Sequence, residues 1–172
     1  MSSIINIEIK AKCANQETIR RILKDSGADF KGTDHQIDTY FKVPNGRLKL
    51  REGNIENHLI FYNRIETKGL KESSILLYDS TPGSTLKEIL SKSLGILAVV
   101  DKRREIYFIE NVKFHLDRVE GLGTFAEVEA IDIDGSISKE QLSEQCDRYM
   151  KLFGIQKDDL IAASYSDLIL QS

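Results

Sequence analysis

Strict alternation of polar and apolar residues recurs along this chain, and it restricts the possible folds more than any other feature. Residues 6–12, 47–51 and 112–117 all follow this pattern. Successive side chains of a β-strand point to opposite faces, so each segment is predicted to be a strand with one apolar and one polar face. The apolar faces can form a core under helices. What the polar faces contact then decides what the protein can do.

Turn and breaker residues divide the chain into about eight strands and three helices, with a further short helix after residue 158. The predicted strands cover residues 6–13, 33–43, 47–51, 58–65, 73–79, 97–109, 112–117 and 124–133. Pro-Asn-Gly at 44–46 is a strong turn signal, and residues 66–71 are predicted to form a loop. Long strands joined by short turns favour an antiparallel sheet, and the few helices indicate an α+β fold.

Composition narrows the class of protein further. The chain has 172 residues, of which 41% are hydrophobic and 30% are charged, and its formal net charge is −3. An acidic chain of this kind is not expected to bind nucleic acid or a membrane surface in general. Cys13 and Cys146 match no metal-ligand spacing, and the first residues do not have the pattern of a signal peptide. We therefore expect a single domain, residues 1–172, with reduced thiols, in the cytoplasm.

Charges of one sign are grouped on the polar faces of the predicted strands. Lys and Arg dominate residues 47–51 and 102–104, whereas acidic residues dominate positions 117 and 127–129. These faces would be solvated if the sheet is open, but eight strands are enough to close a barrel, and the charges would then lie inside. Buried carboxylates such as Glu127 and Glu129 repel unless a cation lies between them, and buried bases need an anion. A triphosphate with Mg²⁺ or Mn²⁺ would satisfy both groups.

Several other residues have plainer interpretations. Tyr40 and Phe41 are predicted to pack in the core, because aromatic residues in strands usually do. Asp34 and Asp38 are predicted to be polar residues at a strand edge. His115 has two alternatives, proton transfer or a contact with phosphate, of which the contact is favoured. A basic run of three residues, 102–104, is too short in an acidic chain to indicate a nucleic-acid surface.

Taken together and in order, these motifs resemble those of the CYTH family, also called triphosphate tunnel metalloenzymes. The matching segments are residues 8–10, 36–41, 46–52, 102–104, 115–117, 121–129 and 164–168. They span nearly the whole chain, and the chain looks most similar to the class IV adenylyl cyclase-like branch.

The resemblance implies a closed eight-stranded antiparallel β-barrel, a tunnel with helices packed outside it. It also implies a bound triphosphate and one or two divalent cations, Mg²⁺ or Mn²⁺. The metal ligands that it implies are Glu8, Asp117, Glu127 and Glu129. The substrate ligands that it implies are Lys10, Lys12 (at the tunnel mouth), Lys49, Arg51, Arg64, Lys102, Arg104 and His115. The catalytic residues that it implies are Glu8, Lys10, Arg51 and Glu129.

The chain departs from the family pattern at its first strand. The family motif is Glu-x-Glu-x-Lys, and Asn6 occupies the position of the first Glu. An amide can coordinate a metal or orient a water, but it adds no negative charge. Lys49 occupies a position where Arg is common in the Arg-x-Arg motif of the family. Lysine keeps the positive charge but cannot form the two parallel hydrogen bonds of a guanidinium group.

The function expected from the resemblance is conversion of ATP to cyclic AMP and pyrophosphate by a metal-dependent enzyme. Hydrolysis of inorganic triphosphate or of an organic triphosphate is the alternative, because the same cradle serves a 3′-hydroxyl or a water as nucleophile. A non-catalytic binder of polyphosphate or a nucleotide is a third hypothesis, suggested by Asn6. The resemblance also points weakly to a homodimer.

Overall fold

The computed structural model describes residues 4–67 and 70–172. Its strands are β1 Ile4–Lys12, β2 Asp29–Phe41, β3 Arg47–Glu52, β4 Asn57–Thr67, β5 Leu70–Asp79, β6 Ile96–Ile109, β7 Val112–Val119 and β8 Gly123–Asp132. Its helices are α1 Gln16–Asp25, α2 Leu86–Leu94, α3 Lys139–Leu152 and α4 Tyr165–Gln171, with a 3₁₀ turn at Lys157–Asp159. No helix in these described ranges is long and apolar enough to cross a membrane.

The eight strands close into an antiparallel barrel. Their order around the barrel is β1-β5-β4-β3-β2-β6-β7-β8, and β1 pairs with both β5 and β8. Closure removes both sheet edges and turns one face of every strand inward. The predicted closed eight-stranded barrel with helices outside is therefore confirmed, and the open sheet with a solvated charged face is wrong.

The apolar faces of the alternating strands pack outward under two helices. Ile9, Phe114 and Val128 are buried in the main core, together with Leu142 and Cys146 of α3. A capping box fixes the start of α3, since Gln141 N donates to the Ser138 hydroxyl while the Gln141 side chain accepts from Ser138 N. Because the outward face forms the core, the charged face is left for the interior.

A second apolar cluster fills one end of the barrel. Tyr40, Val100 and Phe125 point inward there and pack against Tyr165 at the start of α4. The segment before α4 is tied to the end of β1, because Ile161 N donates to Lys10 O over 2.9 Å. The C-terminal segment therefore lies at the end of the barrel where β1 finishes.

One predicted loop is largely strand. We expected residues 66–71 to form a loop, whereas β4 continues to Thr67 and β5 starts at Leu70. Residues 68 and 69, which include the predicted loop glycine, lie outside the described residues. The correction matters for Lys71, which pairs with Glu8 of β1 and is buried.

Candidate functional site

Inward-facing side chains of all eight strands line one cavity in the barrel. Its basic residues are Lys10, Lys49, Arg51, Arg64, Lys102, Arg104 and Lys113, and its acidic residues are Glu8, Asp38, Glu56, Glu127 and Glu129. Asn6, His115, Tyr40 and Tyr62 also contribute to the lining. Ten of the twelve positions that the sequence analysis assigned to substrate, metal or catalysis are brought together here; the exceptions are Lys12 and Asp117.

The structure does not place the two exceptions in the cavity. Lys12 is exposed at the last position of β1. Asp117 is fully buried, and its carboxylate accepts hydrogen bonds from Arg104 over 2.6 and 2.7 Å and from the Tyr165 hydroxyl over 2.7 Å. These bonds engage both carboxylate oxygens, so Asp117 holds the Arg104 guanidinium in place; its role as a metal ligand stays a prediction.

Asp38 was expected at a strand edge, and it is instead the centre of a buried cluster of charges. Its Oδ2 accepts from Lys102 Nζ over 2.7 Å and from Arg51 Nη2 over 2.8 Å. Lys49 Nζ donates to the same oxygen over 3.1 Å. We call Asp38 with these three bases the Asp38 cluster. Sequence reasoning missed it because strand pairing between β2, β3 and β6 creates it.

Charge and burial act in opposite directions on this cluster. Burial would raise the pKa of Asp38, but Arg51, Lys102 and Lys49 outweigh it and hold that pKa well below its usual range. Burial lowers the pKa of Lys102 to about 7, despite Asp38, and the positive charges of Arg51 and Arg104 add to the shift. The Asp38 carboxylate thus accepts from three basic side chains, so basic groups outnumber acidic ones in this cluster.

Glu127 belongs to a second ion-pair network on the other side of the cavity. Arg104 Nη2 donates to Glu127 Oε2 over 3.1 Å, and Lys10 Nζ lies 3.6 Å from Oε1. His115 Nδ1 lies 2.9 Å from Oε2, whereas its Nε2 is buried without a hydrogen-bond partner among the described residues. Burial lowers the pKa of His115 to about 4, and nearby Arg104 adds to the shift, so the imidazole is neutral at pH 7.

Glu8 and Glu129 form a carboxylate pair with fewer partners. They lie opposite each other in the β1–β8 pairing. Loss of hydration raises the pKa of Glu129; Lys113 opposes this and the charge of Glu8 adds to it. The Asn6 side-chain amide donates a hydrogen bond to Glu129, while Asn6 Oδ1 is buried and has no partner in the part of the chain that the structure describes. These three residues offer hard oxygen donors at one place, which is the ligand type that Mg²⁺ and Mn²⁺ prefer.

The described residues 4–67 and 70–172 contain no group of three or more His, Cys, Asp or Glu with metal-site geometry. Together with Asn6, the carboxylate pair forms a set of three residues with oxygen donors. Asn6 Oδ1 has no hydrogen-bond partner among the described residues, so it can serve as a cation ligand. Magnesium commonly takes one or two carboxylates and completes its shell with water and phosphate oxygens. The donor set at Asn6, Glu8 and Glu129 therefore fits such a cation.

Glu56 is a further residue that sequence reasoning missed. It lies in the β3–β4 loop, and its carboxylate is 2.5 Å from Lys113 Nζ and 3.4 Å from Arg51 Nη1. Asp34 holds this loop by accepting from the backbone N–H groups of residues 54, 55 and 56. Asp34 was expected at a strand edge, and the structure shows it fully buried as the anchor of the loop.

Lys71 is a buried cation beside the cavity. Its Nζ has no hydrogen-bond partner among the described atoms. Its pKa is lowered to about 8, mainly by burial and in addition by the charges of Lys10 and Arg64, against the opposing charge of Glu8. Sequence reasoning missed Lys71 because residues 66–71 were predicted to be a loop. The signal that could have found it is that residues 71, 73, 75 and 77 lie on the same face if the strand begins before residue 71.

The fold and this cavity define a class of protein, a closed antiparallel β-barrel whose interior carries charges of both signs. The family model described as "CYTH domain" matches residues 5–165. The chain therefore belongs to the CYTH domain family, as the motifs predicted.

Known proteins are similar to this chain in sequence or in structure. "Putative adenylate cyclase MJ0240" of Methanocaldococcus jannaschii is 29% identical, with 96% of this chain and 98% of that protein covered. The PH1012 protein of Pyrococcus horikoshii is 27% identical with a TM-score of 0.81, covering 95% of this chain and 98% of that one. A Hippeastrum protein titled "Putative adenylyl cyclase HpAC1 … reveals a dominant triphophatase activity" has a TM-score of 0.64 at 16% identity, covering 96% and 95%.

Proposed function

We propose that this protein is a divalent-metal-dependent enzyme that acts on a triphosphate in the barrel cavity, with class IV adenylyl cyclase-like activity that converts ATP to cyclic AMP and pyrophosphate. The observation that carries the proposal is the Asp38 cluster facing the carboxylate pair across one cavity. An excess of buried cations on one wall favours a polyanion, and acids on the other favour a cation beside it.

The basic residues have distinct tasks in this proposal. Arg51 and Arg104 are held in fixed orientations by two hydrogen bonds each, to Asp38 and to Asp117. Fixed donors of this kind stabilise charge that develops on phosphate oxygens without reorganising during the reaction. Lys10 and Lys102 supply compact charges that can follow the oxygens as the phosphate chain shifts. Most of the rate acceleration in phosphoryl chemistry comes from such positioning and charge stabilisation.

Asn6, Glu8 and Glu129 would hold the cation. A bound Mg²⁺ or Mn²⁺ supplies Lewis-acid neutralisation of the phosphate charge. These residues would hold the cation on the opposite side of the cavity from the Asp38 cluster, and the neutral amide of Asn6 makes the ligand set one charge less negative than a set with Glu at that position. We therefore expect this protein, without substrate, to bind the metal more weakly than a protein with Glu at that position would.

A triphosphatase is the second candidate, and the dominant triphosphatase activity described for the Hippeastrum protein favours it. That protein shares the fold at low identity, and one fold can host both reactions. The two activities differ in the nucleophile, a ribose 3′-hydroxyl or a water, and use the same phosphate cradle.

The test is to incubate the purified protein with ATP, and separately with inorganic triphosphate, in the presence of Mg²⁺ or Mn²⁺. Cyclic AMP would support the cyclase, release of phosphate the triphosphatase, and tight anion binding without turnover the non-catalytic binder. Arg51→Ala should abolish both turnover and anion binding. Arg103→Ala is the matched control, because Arg103 is an exposed residue of β6 adjacent to Lys102. Wild-type protein that neither binds nor converts either compound would overturn the proposal.

A further inference from the structure

Lys71 is a buried cation whose ammonium group makes no hydrogen bond to any described residue. It occupies the second position of β5, pairs with Glu8 of β1 and is only 2% exposed. Ser73, the next residue of the same parity on β5, lines the charged cavity, so the Lys71 side chain has the same inward direction. Burial of an unpaired charge is costly, and a group that is kept in this state needs a partner from outside the protein.

A second unpartnered donor lies close to this lysine. Arg64 of β4 and Asn6 of β1 both pair with Ser73, two residues along β5 from Lys71. Arg64 Nη2 donates to Glu8 over 3.1 Å, but Arg64 Nε is buried with no acceptor in the part of the chain that the structure describes. Two neighbouring strands thus present unused donors of cationic groups, which is what an anion requires.

The balance of charge in the cavity depends on Lys71. Seven basic and five acidic side chains line the cavity, and even with Lys102 counted as neutral, because its pKa is about 7, the bases outnumber the acids. Beside the lining, the buried Asp117 and Lys71 cancel in this count, since the pKa of Lys71, about 8, leaves it mainly protonated at pH 7. Without Lys71 the count would be even. This lysine therefore makes the cavity attract an anion without help from a metal.

Lys71 also lies where an anion needs it most. The Asp38 cluster comes from β2, β3 and β6, whereas Lys71 comes from β5, which lies between β1 and β4 on the other side of the barrel. A phosphate chain that extends from the Asp38 cluster across the cavity approaches Glu8 and Glu129, which repel it. Lys71 and Arg64 counter this repulsion on the same wall.

We propose that Lys71 is a further anion ligand of the cavity, and that it allows a triphosphate to bind before any divalent cation. The inference rests on the proposed function, because the anion is the triphosphate of that site. In the complex, Lys71 Nζ donates to a phosphate oxygen. The divalent cation binds second, because the phosphate oxygens then complete its ligand shell.

Calorimetry with inorganic triphosphate tests this order, in buffer with EDTA and in buffer with Mg²⁺. Wild-type protein should bind triphosphate in EDTA. Lys71→Met, which removes the charge and keeps an unbranched side chain, should bind it about tenfold to hundredfold more weakly there, the scale of a lost hydrogen bond between charged groups. Lys24→Met, which removes the same charge from the exposed face of α1, is the control and should bind like the wild type.

Thermal denaturation separates an anion ligand from a residue that only supports the fold. Because an unpaired buried charge is unfavourable, Lys71→Met without triphosphate should be at least as stable as the wild type. Loss of stability together with loss of binding would make Lys71 a structural residue and overturn the proposal. Lys71→Gln replaces Lys71→Met in both measurements if the latter does not fold.

The outcomes also separate this inference from the proposed function. Wild-type protein that binds triphosphate only with Mg²⁺, or Lys71→Met that binds it as tightly as the wild type in EDTA, would overturn the role of Lys71 and leave the proposed function standing. Wild-type protein that binds triphosphate in neither buffer would overturn both.

Discussion

At the scale of single residues, Asp38 decides how the basic side of the cavity is built. Without its carboxylate, Lys49 and Lys102 would lose their ion pair with Asp38, and Arg51 would retain only its longer, 3.4 Å ion pair with Glu56 among the described residues. Removing one partner of a buried ion pair is strongly destabilising, because the other charge is left uncompensated. Asp38 therefore serves two purposes, since it holds the bases in place before an anion arrives and limits their repulsion.

We expect Asp38→Asn to lower the free energy of unfolding by about 3–5 kcal/mol, measured by urea denaturation. Addition of inorganic triphosphate should recover part of the loss, because its oxygens can replace the carboxylate. Asp29→Asn is the control, since the Asp29 side chain is 61% exposed and forms a surface ion pair with Lys31. A variant as stable as the wild type would show that the cluster needs no internal counterion.

Lys102 should make stability depend on pH. Its pKa is lowered by burial from 10.5 to about 7 in the folded protein. Between these values the unfolded chain binds a proton that the folded protein has released, so this residue makes stability rise with pH across that window. We expect the difference in unfolding free energy between the wild type and Lys102→Met to increase from pH 6.5 to pH 9.5. A constant or falling difference would mean that Lys102 stays charged in the fold.

At the scale of elements, the β3–β4 loop depends on a close approach of backbone to Asp34. A Cβ on Gly53 would lie 2.6 Å from Asp34 Oδ2 and 2.8 Å from the carbonyl oxygen of Glu56. The absence of a side chain at Gly53 thus allows Asp34 to accept from three loop N–H groups and so to place Glu56 beside Lys113.

We expect Gly53→Ala to lower the free energy of unfolding by about 1–3 kcal/mol, the usual cost of overpacking. Thermal denaturation measures the effect, with Thr81→Ala in the exposed β5–α2 loop as the control. Unchanged stability would mean that the loop shifts freely and that Asp34 does not anchor it.

At the scale of the whole molecule, closure of the barrel brings Glu8 of β1 next to Glu129 of β8. The first and last strands of the sequence meet there, so the proposed cation site exists only when all eight strands are in place. Binding of a cation at this junction should stabilise the barrel as a unit, because a ligand that binds only the folded state raises its stability.

We expect Mn²⁺ to raise the melting temperature of the wild type and to have no effect on Glu129→Gln, which loses a charged oxygen donor but keeps the side-chain volume. Without metal, Glu129→Gln should be at least as stable as the wild type at pH 7, because the raised pKa of Glu129 shows that its charge is unfavourable in the fold. Glu144→Gln on the surface helix α3 is the control. Equal stabilisation of both proteins by Mn²⁺ would place the cation elsewhere.

The alternation of residues was sufficient to predict the strands and which side chains share a face, because the period of a strand is two whatever surrounds it. The grouping of charges indicated an anion and a cation, and the CYTH motifs indicated the closed barrel. The sequence failed at residues whose role depends on a neighbouring strand. Asp38, Asp34, Glu56 and Lys71 look like ordinary loop or edge residues until β2, β3, β6 and β1 are placed beside them.

Pattern and motifs were therefore enough to predict most of the strands, their polar faces and the membership of Glu8, Lys10, Arg51 and Glu129 in one charged set. The hydrogen-bond and ion-pair partners of those charges became known from the folded structure. In the folded barrel the Asp117 carboxylate accepts hydrogen bonds from Arg104 and Tyr165, and Lys12 is exposed. The physical reason is that periodicity fixes the direction of a side chain along its own strand, whereas register between strands and closure of the barrel fix which side chains it meets.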